Sequence, residues 1–333
     1  MTPPDTTIDY SQAAAATAED ERRIQSELAV KEKSRPEPPK PGAMQAGARR
    51  YPEPPLAAQH LGKPGNEADL ALKPMYDAPY YKGSEKLLDK VAIITGGDSG
   101  IGRAVAVLYA REGADVAIIY LDEDEDARTV KAAVEREGRK CLLISGDVAD
   151  RDFCIDAVGQ VVEAFGKLDI LVNNAAFQLH VTAFEDLTAD HFDRTLKTNL
   201  YGYFNMAQAA VTAMKPCSAI VNTGSVTGIN GSKNLLDYSM TKGGIHAFTR
   251  SLSAHLIAKG IRVNAVAPGP VWTPLNPSDQ TADKVAHFGE QVPMGRPAQP
   301  EEIAPAYVFL ASPQTGSYIT GEILPVIGGY GGS

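Results

Sequence analysis

The chain has 333 residues, of which 44% are hydrophobic and 22% are charged, and its formal net charge is −9 at pH 7. This length accommodates one large α/β domain or two smaller ones around a sizeable core. The acidic balance argues against a nucleic-acid partner and against an anionic membrane surface, since both favour an excess of lysine and arginine.

Three cysteines lie far apart in the sequence, at Cys141, Cys154 and Cys217. Their odd number and wide spacing match neither a disulfide framework nor a metal site, which indicates a reducing compartment. No apolar run approaches the roughly 18 residues of a membrane helix, and the N-terminus lacks the apolar segment of a signal peptide. We therefore expect a cytoplasmic protein without membrane contact and without a catalytic metal.

The first 85 residues differ in composition from the rest of the chain. They contain the proline-rich stretches "SRPEPPKPG" and "YPEPPLAAQHLGKPG", and few apolar residues recur periodically. Such a segment buries too little apolar surface to offset the entropy lost on ordering, so we expect a partly disordered N-terminal extension. One helix is predicted inside it, from Thr17 to about Glu32. The tyrosines between positions 76 and 81 either pack on the folded body or a neighbouring subunit, or belong to a solvated tail.

From Leu88 onward, short runs rich in valine and isoleucine alternate with helical segments. The runs begin at residues 91, 115, 140, 168, 218, 261 and 321, and the helical segments include "GRAVAVLYARE", "EDARTVKAAVERE" and "FCIDAVGQVVEAF". Runs without polar alternation indicate strands covered on both faces, as in parallel sheets with crossover helices. The pattern predicts a single doubly wound, Rossmann-like α/β domain over residues 86–333, with a seven-stranded parallel sheet.

A turn with four glycines separates the first predicted strand from the first helix, at Gly96, Gly97, Gly100 and Gly102. In a doubly wound sheet this turn brings backbone against a dinucleotide pyrophosphate at a helix N-terminus, where free N–H groups and the helix dipole favour anions. Glycine-rich turns also serve packing alone, and the Gly-x-x-x-Gly-x-Gly spacing differs from the usual dinucleotide fingerprint. The turn by itself leaves both interpretations open.

Tyr238 and Lys242 stand four apart, on one face of a predicted helix. A nearby ammonium stabilises a phenolate and lowers the tyrosine pKa, as a proton donor or acceptor working near neutral pH requires. An isolated pair of this kind is more often a partly exposed helical pair. Here Asn199 in "KTNLYG", Ser225 in "NTGSVTG" and the later "APGPVWT" follow the glycine turn in a consistent order. We therefore expect the pair to be catalytic.

These motifs together resemble the short-chain dehydrogenase/reductase family. The resemblance covers residues 88–333 through "TGGDSGIG", "NNAA", the four polar residues just named and "PGPVWT". Ser225 and Tyr238 stand 13 apart, as in that family. Segments such as "YKGSEKL" and "YLDEDEDA" further resemble an N-terminally extended subgroup that includes a stress protein and an aldehyde reductase.

The resemblance implies a mechanism. Tyr238 would act as general acid in reduction and as general base in oxidation, while Lys242 would lower its pKa and hold the nicotinamide ribose. Ser225 would hydrogen-bond the substrate oxygen and stabilise its developing charge. Asn199 would hold a water that relays the proton to solvent.

The same resemblance implies NAD or NADP as cofactor. The residues expected to bind it are Gly96, Asp98, Ser99, Gly100, Ile101, Gly102, Tyr120, Leu121, Asp147, Val148, Asn174, Ala175, Tyr238, Lys242, Pro268, Gly269, Val271 and Thr273. The aspartate that NAD enzymes often carry after the second strand is replaced by Tyr120, and neither Ser99 nor Leu121 has the positive charge that a 2′-phosphate favours. The remaining cation on the turn is Arg103, and the acidic run "DEDED" opposes a phosphate. The choice between NAD and NADP stays open.

The segment from residue 273 to 297 is predicted to close over the substrate. Within and beside it, Trp272, Phe288 and Met294 are either apolar pocket walls or core residues. His180 and His287 either contact a polar substrate or are simply exposed.

Three functions fit these features. The leading prediction is an NAD(P)-dependent oxidoreductase acting on a small aldehyde, ketone or sugar-like alcohol. The alternatives are a 3-oxoacyl-thioester reductase and a dinucleotide-sensing or scaffold protein, the latter disfavoured by the intact set of four polar residues. By analogy with the family we expect a homotetramer assembled through residues 189–214, residues 238–258 and the C-terminal region.

Overall fold

The computed structural model describes residues 10–36 and 42–330 of the chain. The chain divides into two compact units, residues 1–42 and residues 43–333. Within the smaller unit, helix α1 spans Tyr10–Ser34, so it begins before the predicted Thr17 and ends close to the predicted Glu32.

The larger unit is built on a parallel sheet of seven strands in the order β3-β2-β1-β4-β5-β6-β7. The strands are β1 Val91–Thr95, β2 Asp115–Tyr120, β3 Cys141–Ser145, β4 Leu168–Asn173, β5 Met214–Thr223, β6 Arg262–Pro268 and β7 Ile323–Val326. All five residues of β1 are buried, because helices cover both faces of the sheet. The predicted Rossmann-like α/β fold with seven parallel strands is confirmed.

Helices connect the strands and form the two outer layers. They are α2 Gly100–Arg111, α3 Asp124–Arg136, α4 Arg151–Phe165, α5 Ala189–Leu196, α6 Gly202–Ala213, α7 Thr227–Asn230, α8 Leu236–Leu256, α9 Ala282–Ala286, α10 Pro300–Ala311 and α11 Pro313–Gly316. Alternate side chains of β1 point to opposite layers: Ile94 packs in a core with α2 and α10, and Ile93 packs in a second core with α4 and α6.

The order of the sheet positions a crevice. The chain proceeds from β1 to β2 and β3 on one side, then returns to place β4 against the other edge of β1. At such a switch point the connections after β1 and β4 depart toward opposite faces, and the carboxyl ends of the strands bound a crevice between them. This crevice contains the glycine turn.

Residues 43–85, here called the strap, belong to the larger unit although their composition resembles that of the segment before them. Among the described residues, the strap has no regular element except a short 3-10 turn at Glu67–Asp69. Its Leu56 and Leu70 side chains are nevertheless buried. The boundary between the compact units therefore lies at residue 42 or 43, not at the change in composition near residue 85.

Side chains of the body hold the strap by accepting and donating hydrogen bonds to its backbone. The indole Nε1 of Trp272 donates to the carbonyl oxygen of Leu72 at 3.0 Å, and the N–H of Met75 donates to Gln299 Oε1 at 2.9 Å. An irregular chain can be ordered in this way, because its peptide groups find partners outside itself. Two tyrosines of the strap contact the body: the ring of Tyr76 lies over the Arg103 guanidinium, and the Tyr81 hydroxyl bonds the Glu112 carboxylate. Tyr80 is 39% exposed and bonds Tyr51 of the strap itself.

We expect truncation to separate the two parts of the extension. Deleting residues 1–42 should leave the melting temperature of the remaining protein unchanged, because the apolar core clusters lie within residues 43–333. Deleting residues 1–78 should lower the free energy of unfolding by about 5 kcal/mol or more, as burial of several large apolar side chains is lost. Thermal melts followed by circular dichroism measure both. Equal stability of the two truncated proteins would contradict a structural role for the strap.

Candidate active site

A cavity of about 780 Å³ opens at the carboxyl ends of the strands. Tyr120 at the end of β2 and Asp147 after β3 line it on one side, and Ser225 and Tyr238, which follow β5, line it on the other. This volume suits a dinucleotide together with a small substrate.

The cavity gathers nearly all of the predicted cofactor-binding residues. Every one of them lines it except Gly102. A Cβ at Gly102 would lie 1.9 Å from the backbone oxygen of Gly96, so this glycine allows α2 to pack against the turn. Of the four predicted catalytic residues, Ser225, Tyr238 and Lys242 line the cavity, and Asn199 is fully buried behind it.

The glycine turn has a backbone that other residues rarely adopt. Gly96 and Gly100 have φ angles of +59° and +50°, in the left-handed region. At Gly100 an added Cβ would also approach the Thr273 methyl group to 2.9 Å. Ile101 lies in the first turn of α2 and lines the cavity, where N–H groups lack intrahelical partners. The residues present therefore fit a bound pyrophosphate.

A carboxylate from the strap supports this turn from beneath. Glu67 Oε2 accepts the N–H of Gly100 at 2.7 Å, and Oε1 pairs with the Arg103 guanidinium. Asp126, in the first turn of α3, accepts the N–H groups of Glu67 at 2.6 Å and of Ala68 at 3.1 Å. Glu67 was not identified from sequence, since its partners are more than thirty residues away and its segment has no periodic pattern.

The ion pair between Arg103 and Glu67 changes the role expected for Arg103. Its side chain is buried between Glu67 and Asp126 and does not line the cavity. The cation that the sequence left available for a 2′-phosphate is thus committed to holding the strap and the turn together.

Tyr238 and Lys242 lie on α8 and are both buried. Lys242 Nζ lies 5.4 Å from the centre of the Tyr238 ring and donates to the carbonyl oxygen of Thr223 at 2.7 Å. Burial lowers the pKa of Lys242 to about 7.

The expected lowering of the tyrosine pKa is not observed. Burial raises the pKa of Tyr238, while a hydrogen bond with Ser225 opposes that change. The expectation was wrong because the Lys242 ammonium is directed at Thr223 and the desolvation of the phenol dominates. Tyr238 therefore carries its proton at neutral pH.

Asn199 lies in a π-helical turn, Lys197–Tyr201, between α5 and α6. Its side-chain oxygen accepts the N–H of Phe177 at 2.8 Å, and its Nδ2 donates to the Phe177 oxygen at 2.9 Å and to Thr241 Oγ1 at 3.0 Å. The amide thus ties the loop after β4 to α8, the helix that carries Tyr238.

Several polar residues behind the pair were missed from sequence. Tyr203 donates through its hydroxyl to the Thr223 oxygen at 3.1 Å, and the Thr223 hydroxyl lies 2.7 Å from that of Tyr307. His246 Nε2 accepts the N–H of Ser225 at 3.4 Å, and burial together with the Lys242 charge lowers its pKa to about 4. A signal for His246 did exist: it continues the four-residue spacing of Tyr238 and Lys242 on one helical face.

The predicted pocket walls divide into two groups. Phe288 lines the cavity, whereas Trp272 is 1% exposed and packs in a core cluster with Leu56. Met294 is not among the lining residues, and both His180 and His287 are.

Within residues 10–36 and 42–330, no three His, Cys, Asp or Glu side chains are grouped so that they could hold a metal ion. In the same part of the chain, no helix combines the length and the apolar character needed to cross a membrane.

Comparison with known proteins identifies the family. A family model described as "Enoyl-(Acyl carrier protein) reductase" matches residues 96–331. General stress protein 39 of Bacillus subtilis is 51% identical over 279 residues, which cover 84% of this chain and 97% of that protein. The NADPH-dependent aldehyde reductase 1 of Arabidopsis thaliana, a chloroplastic protein, is 44% identical over 81% of this chain and 96% of its own length.

Solved structures of related enzymes have the same fold as this chain. A short-chain dehydrogenase from Burkholderia cenocepacia in complex with NADP superposes with a TM-score of 0.68 at 36% identity, covering 73% of this chain and 98% of that one. The chain belongs to the short-chain dehydrogenase/reductase family. It is accordingly an oxidoreductase whose cofactor is NAD or NADP.

Replacing Lys242 should stabilise the fold in a pH-dependent way. In the unfolded chain a lysine keeps a pKa of about 10.4, whereas burial lowers that of Lys242 to about 7. Between these two values the folded state has released a proton that the unfolded state still binds. The destabilisation of the fold by Lys242 is therefore complete below pH 7 and disappears as the pH rises toward about 10.4. We expect Lys242→Met to raise the free energy of unfolding, more at about pH 6.5 than at about pH 9.5. Urea denaturation at both values checks this, and a gain of equal size at both would contradict it.

Proposed function

We propose that this enzyme transfers hydride between nicotinamide and a small aldehyde, ketone or sugar-like alcohol, with Tyr238 as the general acid and base. The observation that carries the proposal is that Ser225, Tyr238 and Lys242 line the same cavity, with Lys242 Nζ 5.4 Å from the centre of the phenol ring. Two hydroxyl groups beside a bound substrate can hold its carbonyl oxygen and stabilise the negative charge that develops there.

The reaction follows from these groups. When bound, the nicotinamide supplies the hydride for reduction or accepts it in oxidation. Tyr238 donates its proton to the substrate oxygen as negative charge develops there, and Ser225 donates a second hydrogen bond to the same atom. Lys242 then stabilises the phenolate that remains. A tyrosine carries its proton at neutral pH, so Tyr238 can act as the acid in reduction.

Tyr238→Phe should lower kcat for aldehyde reduction by about 10²- to 10⁴-fold, the usual contribution of a general acid. The dinucleotide dissociation constant should change little, because only the hydroxyl is removed. A steady-state assay with NADH and NADPH against small aldehydes and ketones measures the effect.

Tyr201→Phe is the matched control, since that tyrosine is 58% exposed and does not line the cavity. It should keep the wild-type rate. Full activity of Tyr238→Phe would contradict the mechanism, and dinucleotide binding without turnover of any carbonyl would favour the sensor or scaffold alternative.

A 3-oxoacyl-thioester reductase is the second candidate. It draws on the same four polar residues, and only the substrate distinguishes it. An acetoacetyl thioester assayed beside the aldehydes makes that distinction: high activity on the thioester with weak activity on free aldehydes would favour this alternative.

For the cofactor, we propose a preference for NAD(H). The cavity beside the end of β2 is lined by Asp98, Tyr120, Leu121 and Glu123, and Arg103 is held elsewhere by Glu67. Arg194, which also lines the cavity, pairs with Asp147 at 2.9 Å. A 2′-phosphate placed at the end of β2 would meet carboxylates without an unpaired cation among these residues.

The preference should depend on pH. Burial and the charge of Glu123 raise the pKa of Asp98 to about 7, so this carboxyl gains negative charge as the pH rises through that value. The ratio of KM for NADPH to KM for NADH should therefore exceed one and increase from about pH 6 to about pH 8. Asp98→Asn should weaken this increase, and Glu123→Gln should lower the ratio. A ratio below one at both pH values would contradict the proposed preference.

We propose a homotetramer, with a second copy of the chain covering an apolar surface on α5, α6 and α8. Phe192, Tyr201, Phe204, Leu236 and Met240 are 37–58% exposed along these helices. Large apolar side chains exposed together are typical of interfaces between subunits. Size-exclusion chromatography with light scattering should give four times the chain mass, and Phe204→Asp should lower it. A monomeric wild type would contradict the proposal.

Cytoplasmic localisation is part of the proposal. Cys141 and Cys154 are buried, Cys217 is exposed, and all three are free thiols. Fluorescence microscopy or cell fractionation of the tagged protein tests it.

A further inference from the structure

A buried carboxylate organises the edge of the cavity where the strap meets the body. The Asp279 side chain is fully buried and accepts hydrogen bonds of 2.6 Å from Gln178 Nε2, from the His180 N–H and from His180 Nδ1. Burial alone would raise the pKa of Asp279, but the bonds from His180 and Gln178 outweigh it and keep the pKa low. The carboxylate is therefore a permanent anion.

Lys63 of the strap completes this cluster. Its Nζ donates to the carbonyl oxygen of Gln178 at 2.6 Å, lies 3.5 Å from Ser278 Oγ, and is 5.5 Å from the centre of the Phe177 ring. Lys63, Gln178 and His180 all line the cavity. We call Lys63, His180 and Asp279 the polar triad.

Lys63 and His180 of the polar triad line the same cavity as Ser225 and Tyr238. The N–H of Val181 also donates to the Asn234 oxygen at 2.9 Å, which ties this loop to the segment leading into α8. A substrate whose carbonyl meets Tyr238 and Ser225 would extend toward the triad.

The chemistry of the triad points to one type of ligand group. Because Asp279 is an anion, it fixes the proton of neutral His180 on Nδ1, and Nε2 is then a hydrogen-bond acceptor. Nε2 has no hydrogen-bond partner among the described residues. The Lys63 ammonium has three donors and so keeps one beyond its two contacts. A hydroxyl group satisfies a donor and an acceptor at once.

An anionic group fits less well. The charge of Asp279 balances that of Lys63, so the triad has no surplus positive charge when His180 is neutral. A carboxylate or phosphate would also oppose the lone pair of Nε2. A substrate with a purely apolar carbon chain would leave the free donor of Lys63 and Nε2 of His180 without partners, which is unfavourable in a closed pocket.

We propose that the polar triad binds a hydroxyl group of the substrate, so that the enzyme acts on hydroxylated aldehydes and the corresponding polyols. This inference rests on the proposed function, because it assumes that Tyr238 and Ser225 hold the reacting oxygen. It makes the strap part of the substrate site, through Lys63.

A matched pair of substrates tests it. Glyceraldehyde and propanal have the same carbon chain and differ in two hydroxyls, so a change in the ratio of their kcat/KM values between wild type and a variant reports hydroxyl recognition. Wild type should favour glyceraldehyde, and Lys63→Met and His180→Phe should each lower the ratio by about tenfold, as expected for one hydrogen bond to a charged or polar partner. Two independent variants keep the test valid where one of them fails to fold.

His287→Phe is the matched control. His287 also lines the cavity, but its ring is 60% exposed and pairs with Glu290 at 2.9 Å, outside the triad. The ratio of kcat/KM for glyceraldehyde to kcat/KM for propanal should be the same in His287→Phe as in wild type. If Lys63→Met and His180→Phe lower kcat/KM equally for both aldehydes, the ratio stays unchanged and the inference is overturned. The triad would then serve only to fasten the strap.

A binding measurement separates this inference from the proposed function. Saturation-transfer NMR with the full chain, dinucleotide and a mixture of glycerol and propan-1-ol reports contact without turnover. If wild type reduces neither aldehyde, the proposed function fails in this form. Preferential contact of glycerol that is lost in Lys63→Met would still support the triad, and equal contact of the two alcohols would overturn it.

Discussion

A parallel sheet whose two faces are both covered by helices leaves polar chemistry almost nowhere except at its edges. Here strands β1 and β4 are mainly apolar, and polar side chains that line the cavity stand where strands end. The return of the chain from β3 to β4 opens a crevice at those ends. Thr223 at the end of β5, Ser225 beyond it and Tyr238 on the following helix meet there because the strands are parallel and their carboxyl ends coincide.

The crevice depends on a second layer of buried polar contacts. Lys242 is held by Thr223 and Tyr203, and Asn199 ties the loop after β4 to α8. The glycine turn is held by Glu67, which reaches it from a segment with almost no regular structure. A buried carboxylate is stable only when paired and hydrogen-bonded, and Arg103 together with the Gly100 N–H supplies those partners. The strap therefore supports the glycine turn as well as belonging to the larger compact unit.

The sequence predicted the periodic elements well because their signal is local. Strands β1 to β4, β6 and β7 begin within two residues of the expected runs, and β5 begins four residues early, at Met214, where its pairing with β4 is irregular. Ser225, Tyr238 and Lys242 were predicted from types and spacing that resemble those of a family, and the structure places all three at the cavity. Asn199 was predicted with them, and its side chain binds the Phe177 backbone and Thr241.

By itself, the sequence determined the parallel α/β fold and the family, and it predicted the candidate site residues, since apolar periodicity and motif spacing are properties of the chain alone. Only the tertiary structure decided the role of the strap, the burial of Arg103 by Glu67, the protonation of Tyr238 and the grouping of Lys63 with His180 and Asp279. Each of these depends on contacts between residues far apart in sequence and on how much water is excluded around a charge, and neither is encoded in local spacing.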